Sequence, residues 1–460
     1  MTAVAEPTPA EEGEPASTRA ERFAWCLFDF ANSAFPTVMV TVFFGKHFRD
    51  VIVGGPEGER WWGRAISLSM AIVAVSSPLV GALADRSGRK RPLLGLYVLV
   101  CVLATAGLAF VGPGDLLPAF ALMVVANWAF EGAYVFYNAF LPELVPASRV
   151  GRLSGYGWAF GYVGGFFALL LIRGIVPAEA HPVVPGVAPA LGPERWIPLV
   201  VAGWYALFAL PVLLLLKDRG RREALGRGWV GRSFREVGKT ARDVVRFRQV
   251  LILLVSYFLA VDALETVISF VAIFTGTVLR FTHGDNTTLF ILMNVVAAPC
   301  AFGFGHLLDR IGGKKTLVIA LLVWVSVVVG SVLVQSKTQF WGVATLAALV
   351  IGSTQSSYRA VLARIAPRER TTQFMAFLAV SGKASAILGP TLYGEISNAF
   401  HDPAQPGRGP RIAIAAVGSM FLLSLLVLSF FDEKKARDHA REPLSGPAEG
   451  STSGAPDARR

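Results

Sequence analysis

Residues 65–83, 93–111, 197–216, 317–334 and 412–431 are apolar runs. Each is close to the roughly 20 residues that cross about 30 Å of hydrocarbon. Irregular backbone facing lipid would leave its amides unpaired, so each run has to be a helix. The bulk numbers agree: 53% of the 460 residues are hydrophobic, 16% are charged, and the mean hydropathy is +0.53. Soluble domains rarely reach that balance. Helices are expected over 22–48, 62–84, 92–111, 115–142, 151–174, 195–216, 249–279, 287–308, 315–335, 338–362, 371–398 and 410–431. The expected class is an all-α membrane protein of twelve transmembrane helices.

A net charge of +11 invites a nucleic-acid reading, but its placement argues against one. With the N-terminus inside, the inner loops carry Arg86, Arg89, Lys90 and Arg91, then Arg149 and Arg152, a basic run from Lys217 to Arg248, Arg310, Lys314 and Lys315, and Arg364, Arg368 and Arg370. The outer loops are sparse. That is the positive-inside asymmetry, and it implies contact with anionic lipid at the cytoplasmic face. Both termini are expected in the cytoplasm. Residues 1–20 lack the basic start and apolar core of a signal peptide and read as a disordered cytoplasmic tail, and residues 432–460 read as a second cytoplasmic tail. Cys26, Cys101 and Cys300 lie in apolar runs and suggest buried small side chains rather than a disulfide framework.

One basic loop occurs twice. GALADRSGRKRPLL at 81–94 and GFGHLLDRIGGKKTL at 303–317 each join two apolar runs. YNAFLPELVP at 137–146 matches YRAVLARIAP at 358–367, and each is followed by a Gly/Ala/Ser-rich helix. Such helices allow close backbone approach, so the fifth and eleventh helices are expected to pack tightly and slide. The simplest account is two pseudo-symmetric six-helix bundles over 21–216 and 249–431, joined by 217–248. Proteins of this plan are usually transporters. Ser233-Phe-Arg-Glu236 is a capping-box pattern, and the helix it opens reads either as an amphipathic surface helix or as an ordinary connector.

Charge inside the bilayer is expensive, about 2.5–3.5 kcal/mol per group at a helix centre, and the buried ionisable residues are few: Asp29, Glu131, Asp262, Glu265, Arg359 and Lys383. Asn127, Glu131, Tyr134 and Asn138 fall on one face of the fourth helix. Trp25, Asp29, Asn32 and Ser33 form a similar stripe on the first, with Pro36 one turn on as a candidate kink. Gln355 and Arg359 lie on the tenth helix and Lys383 on the eleventh. Acids on one side and bases on the other would suit a zwitterion such as an amino acid. The bland alternative is that these charges pair with one another as static bundle glue. Asp262 and Glu265, one turn apart on the seventh helix, are the candidate proton carriers. Asp85, Arg86, Asp309 and Arg310 sit at inner helix ends, where a carboxylate can pair with Arg or meet the N-terminus of a facing helix and hold an inner gate. His residues show no metal spacing, and neither a Walker lysine nor a nucleophile elbow is present, so no cofactor, metal or enzymatic activity is expected.

The loop at 81–94 resembles the signature between the second and third helices of the major facilitator superfamily. The resemblance covers nearly the whole chain and implies the major facilitator fold, with Asp85 and Arg89 as gate residues. The second copy has Gly313 in place of Arg89, which implies a weaker lock. WCLFDFANSAFPTVMVTVFF in the first helix resembles the opening of a branch that includes the fungal vacuolar amino-acid effluxers linked to autophagy, with Phe28 and Phe30 where that pattern has Tyr and Trp. The expectation is a monomeric, proton-coupled secondary transporter of a small polar solute, an amino acid first, in the plasma or inner membrane. Export of a drug or lipid-like amphiphile is the alternative within transport, and a transport-inactive receptor or scaffold the alternative outside it.

Overall fold

The structure is a computed structural model that describes residues 17–53, 55–175, 193–219, 248–281, 283–367, 370–385, 388–402 and 404–441. Its main elements are α1 (Arg19–Asn32), α2 (Gly55–Ser87), α3 (Lys90–Gly107), α4 (Leu116–Ala139), α5 (Val150–Ile175), α6 (Ile197–Leu215), α7 (Arg248–Leu279), α8 (His283–Ile311), α9 (Gly313–Leu333), α10 (Lys337–Ile365), α11 (Thr371–Ser385), α12 (Leu388–Ala399), α13 (Arg408–Ser429) and α14 (Glu433–Arg441). No strand occurs among the described residues. Ten helical stretches among them are long and apolar enough to cross a bilayer. α10 falls short of that hydropathy because Ser353, Thr354, Gln355, Ser356, Ser357 and Arg359 dilute it, and the eleventh span is described as two shorter helices. The count is consistent with twelve spans in two bundles, α1–α6 and α7–α13.

The first span opens on a capping box. Thr18 Oγ1 accepts from the Glu21 amide at 3.2 Å, and Glu21 Oε2 accepts from the Thr18 amide at 2.8 Å. Pro36 then changes the helix. α1 ends at Asn32, and the backbone continues as a π-helical stretch, Phe35–Val42. A proline without an N–H breaks the ladder, and a wider turn absorbs the lost bond. The single helix expected over 22–48 is therefore α1, this wide segment and a short turn, Phe44–His47.

The halves meet along two matched seams at the end of the molecule that carries the basic loops, called here the basic face. One seam is α5 against α8. A Cβ on Gly155 would stand 2.4 Å from the Ala301 carbonyl, and one on Gly305 would stand 2.6 Å from the Gly151 carbonyl, so only glycine fits. The other is α2 against α11, where Gly81 faces the Thr372 carbonyl. The fifth and eleventh helices thus close on the eighth and the second. Beyond the last span, α14 folds back under the second bundle, with Phe431 and Ala436 buried. Residues expected to be plain tail are therefore ordered as far as Arg441. The amphipathic helix anticipated from Ser233 lies outside the described residues.

Candidate functional site

α4 and α10 run in the same sense, and their repeated segments bring Tyr137-Asn138 and Tyr358-Arg359 to matching depths. Arg359 stands six residues before the end of α10, about 9 Å in from the basic face at 1.5 Å per residue. Its guanidinium crosses to the first half. Nε donates to Ser154 Oγ at 2.9 Å and Nη2 to the Ser154 carbonyl at 2.7 Å. Nη1 lies 3.2 Å from Asn138 Oδ1 and 3.4 Å from both Asp29 Oδ2 and the Tyr134 hydroxyl. The rings of Trp25, Tyr137 and Trp158 surround it at 5.1–5.9 Å. Tyr137 also donates to Asp29 Oδ2 at 2.8 Å, and Asn32 lies 3.4 Å from Oδ1. Arg359 and Asp29 are 2% and 5% exposed, so water competes little for either charge.

The repeat explains the meeting. Asn138 and Arg359 are equivalent positions, and equivalent residues near a pseudo-twofold axis face one another. The hydroxyls of the matched tyrosines have diverged: Tyr137 finds Asp29, whereas Tyr358 lies 2.6 Å from Ser256 Oγ.

Above this layer, away from the basic face, α4 presents Tyr134 and then Glu131. Glu131 is 5% exposed. Glu265 of α7 is half-buried, the Tyr134 ring stands 5.8 Å from Tyr137, and across in the second half the Tyr257 ring stands 5.2 Å from Tyr358. The Tyr162 ring crosses the interface to Gly352 of α10, where a Cβ would stand 2.4 Å from it. Gln355, half-buried, lies one turn above Arg359. Phenols from both halves therefore line the interface above Arg359, with Glu131 on α4 beside them. Asn127 is spent elsewhere, donating to Ser69 Oγ of α2 at 2.6 Å. Lys383 lies within α11, and its side chain is outside the described residues.

Asp262 is fully buried and faces the eleventh span. Its Oδ1 accepts from the Gly389 amide at the start of α12 at 2.8 Å, while Oδ2 makes no hydrogen bond among the described residues. A Cβ on Gly389 would stand 2.0 Å from Thr266 Oγ1 and 2.8 Å from Asp262 Oδ1, so the eleventh span passes directly over the carboxyl. Asp262 thus faces Gly389 of the eleventh span.

At the basic face two carboxylates close the seams in the same way. Asp85 accepts from the Thr372 and Gln373 amides, both at 3.0 Å, at the N-terminus of α11. Asp309 accepts from the Gly151 and Arg152 amides, at 2.8 and 2.9 Å, at the N-terminus of α5. Each acid comes from one half and each helix end from the other, a favourable anion–dipole pairing. The cations differ from expectation. Arg89 and Arg310 are exposed, and Arg86 is partly so. Lys90 stands beside Asp85 at 3.9 Å and binds Glu143 at 2.6 Å. At Asp309 the buried cation is Arg364 of α10, with Arg152 at 3.4 Å. Gly313 does not leave the second site short of charge, because a helix from elsewhere in its half supplies it.

Sequence reasoning missed Ser154, Tyr137, Tyr162, Tyr257, Lys90 and Arg364. Tyr137, Lys90 and Arg364 lie inside the repeated segments, and the repeat was the available signal. The rest depend on inter-helix geometry.

The family model described as "Vacuole effluxer Atg22 like" matches residues 64–441. An uncharacterised MFS-type transporter, YxiO, of Bacillus subtilis is 27% identical over 426 residues, covering 91% of this chain and 96% of its own. Autophagy-related protein 22 of Kluyveromyces lactis is 23% identical over 358 residues, 70% of this chain and 68% of its own. Among solved structures, the human organic anion transporter MFSD10 superposes with a TM-score of 0.69 at 14% identity, covering 89% of this chain and 98% of that one.

Proposed function

The chain belongs to the Atg22-like vacuole effluxer family, and from that premise we propose that it moves a small polar solute, an amino acid first, by proton-coupled alternating access. It is a multi-pass membrane transporter of the major facilitator type, and it is not an enzyme. The basic face is the cytoplasmic one in this reading, which the positive-inside distribution supports.

One observation carries the proposal: a centre of ionisable and phenolic groups, drawn from both halves, lies above a sealed face. Glu131, Glu265, Tyr134 and Gln355, with Lys383 on the same span as the seal, offer a carboxylate for a substrate ammonium and an ammonium for a substrate carboxylate. Asn127 supports α4 from behind through Ser69. Asp29, Asn32, Asn138 and Arg359 form the floor. In this state Arg359 is saturated by protein acceptors, so it reaches substrate only as the halves part. Asp85 with Lys90, and Asp309 with Arg364 and Arg152, form the gate beneath, with Arg86, Arg89 and Arg310 on its flank. Each helix-terminus pairing contributes up to about 2 kcal/mol in a partly buried setting.

Proton coupling is proposed at Asp262, with Glu265, one turn on, as its partner. The support is Asp262's burial, its single amide contact and its seat under α12, which moves relative to α7 if the carboxyl changes charge. The amphiphile reading keeps one observation in its favour, the aromatic wall of Trp25, Tyr137 and Trp158.

Flux into proteoliposomes, screened over amino acids, sugars and cationic dyes with and without a pH gradient, tests the reading. Amino-acid flux driven by the gradient is expected, with Asp262→Asn retaining exchange but losing accumulation. Dye movement without amino-acid movement would select the exporter, and no movement of any solute would remove transport of these classes.

A further inference from the structure

Arg364, the buried cation at Asp309, is itself held from behind. Its Nη1 lies 3.8 Å from Glu433 Oε1 on α14, and its Nη2 donates to Asp309 Oδ1. Glu433 is an ordered node. Its Oε2 accepts from the Gly313 and Lys314 amides, at 2.9 and 3.2 Å, so it caps α9, and Arg437 of the next turn donates to Oε1. Lys314 returns the contact by donating to the Ser429 and Phe431 carbonyls at 2.8 and 2.5 Å, which anchors the end of α13. A line of alternating charge thus runs from α14 through α10 to α8 and ends on the α5 amides of the other half. Arg364 and Asp309 are 4% and 1% exposed at their side chains and Glu433 is 14%, so solvent screens the line weakly. The first half is wired differently: among the described residues Lys90 links Asp85 to Glu143, which lies in the short helix Leu141–Leu144 after α4.

We propose that Glu433 is a positioning residue for the inner gate: α14 braces Arg364 against Asp309, so that the post-membrane segment sets how tightly the α5–α8 seam closes. This rests on Asp309 being a gate residue, as read above. Removing the Glu433 charge frees Arg364 to relax away from Asp309, and the seam opens more often.

The test uses the full chain in proteoliposomes, with Cys26, Cys101 and Cys300 replaced by serine. Ser356→Cys, 3% exposed at the α5–α10 contact, is the probe for basic-face opening to a maleimide. Glu395→Cys, exposed on α12 at the opposite end, is the reciprocal probe. Glu433→Gln is expected to raise labelling at 356 by about five-fold, the low end of measured couplings, and to lower it at 395, with Glu433→Asp restoring both. Arg437→Gln, which leaves the gate side chains in place, is expected to act in the same direction and guards against misfolding of the first variant. Glu433→Gln added to Asp309→Asn is expected to do no more than Asp309→Asn alone. If Asp309→Asn opens the seam and Glu433→Gln does not, the brace is refuted and the gate stands. If neither acts, the gate reading falls and takes the brace with it. Additive effects, or a rise at both probes, would mean general loosening and would also refute it.

Discussion

Asp29 and Arg359 are the pair on which the closed state depends most at the level of single side chains. Breaking a buried ion pair by removing one partner is typically worth about 3–5 kcal/mol, because the remaining charge stays in low dielectric. Asp29→Asn should fall at or below the low end of that range, since Asn138, Tyr134 and Ser154 still accept from the guanidinium. The expected result is a lower melting temperature together with faster basic-face labelling at position 356. An unchanged melting temperature and labelling rate would show that the pair contributes nothing. Arg359→Lys should be nearly as harmful as loss of the charge, because a single ammonium cannot copy a planar fork bonded on three nitrogens. The sequence exposed both residues as charges in apolar helices, but not that they face each other. A residue's helical face follows from its own segment, whereas its partner follows from how two segments 330 positions apart are docked.

Among the elements, α5 and α14 invite the clearest experiments. Gly155→Ala would force a methyl into the Ala301 carbonyl across the seam, and overpacking of this kind costs about 1–3 kcal/mol. Because the strain exists only when the seam is closed, the expected readout is faster labelling at 356 rather than simple unfolding, and slower or equal labelling would contradict the close approach. α14 should respond to pH. Burial pushes the Glu433 carboxyl up, but the Arg437 hydrogen bond and charge, the Lys314 amide and Arg364 outweigh it and hold it below the ordinary value. Asp432 is likewise held low, by the Lys435 amide first. A carboxylate whose folded pKa is depressed contributes stability above its unfolded pKa and loses it as pH falls through the folded one. Hydrogen-exchange protection in 433–441, taken relative to the intrinsic rate at each pH, should therefore be high at neutral pH and fall only below the usual carboxylate range. Loss of protection between pH 8 and 6 would point to another group. The sequence separated spans from loops but read 432–460 as tail, because a nine-residue helix with one buried alanine has no apolar signature of its own.

For the whole molecule, the two seams are independent copies of one device. Asp85→Asn and Asp309→Asn share no partner and lie on opposite seams, so their free energies should add, and the fold-changes in labelling should multiply. A double variant no more open at 356 than the stronger single one would mean that the two seams open separately. Hydropathy, loop charge and the repeated segments were enough to specify the class and the two-bundle plan, because a bilayer admits few solutions for long apolar runs, and the resemblance of the 81–94 loop implied the major facilitator fold. They also named most of the ionisable residues inside it. Tertiary structure alone decided which of those residues meet: Arg359 with Asp29, Asp309 with Arg364 and the α5 amides, and Asp262 with the start of α12. The physical reason is that lipid constrains each span's composition and direction one segment at a time. Side-chain pairing depends instead on rotation and depth between spans, which close glycine contacts set and no single segment encodes.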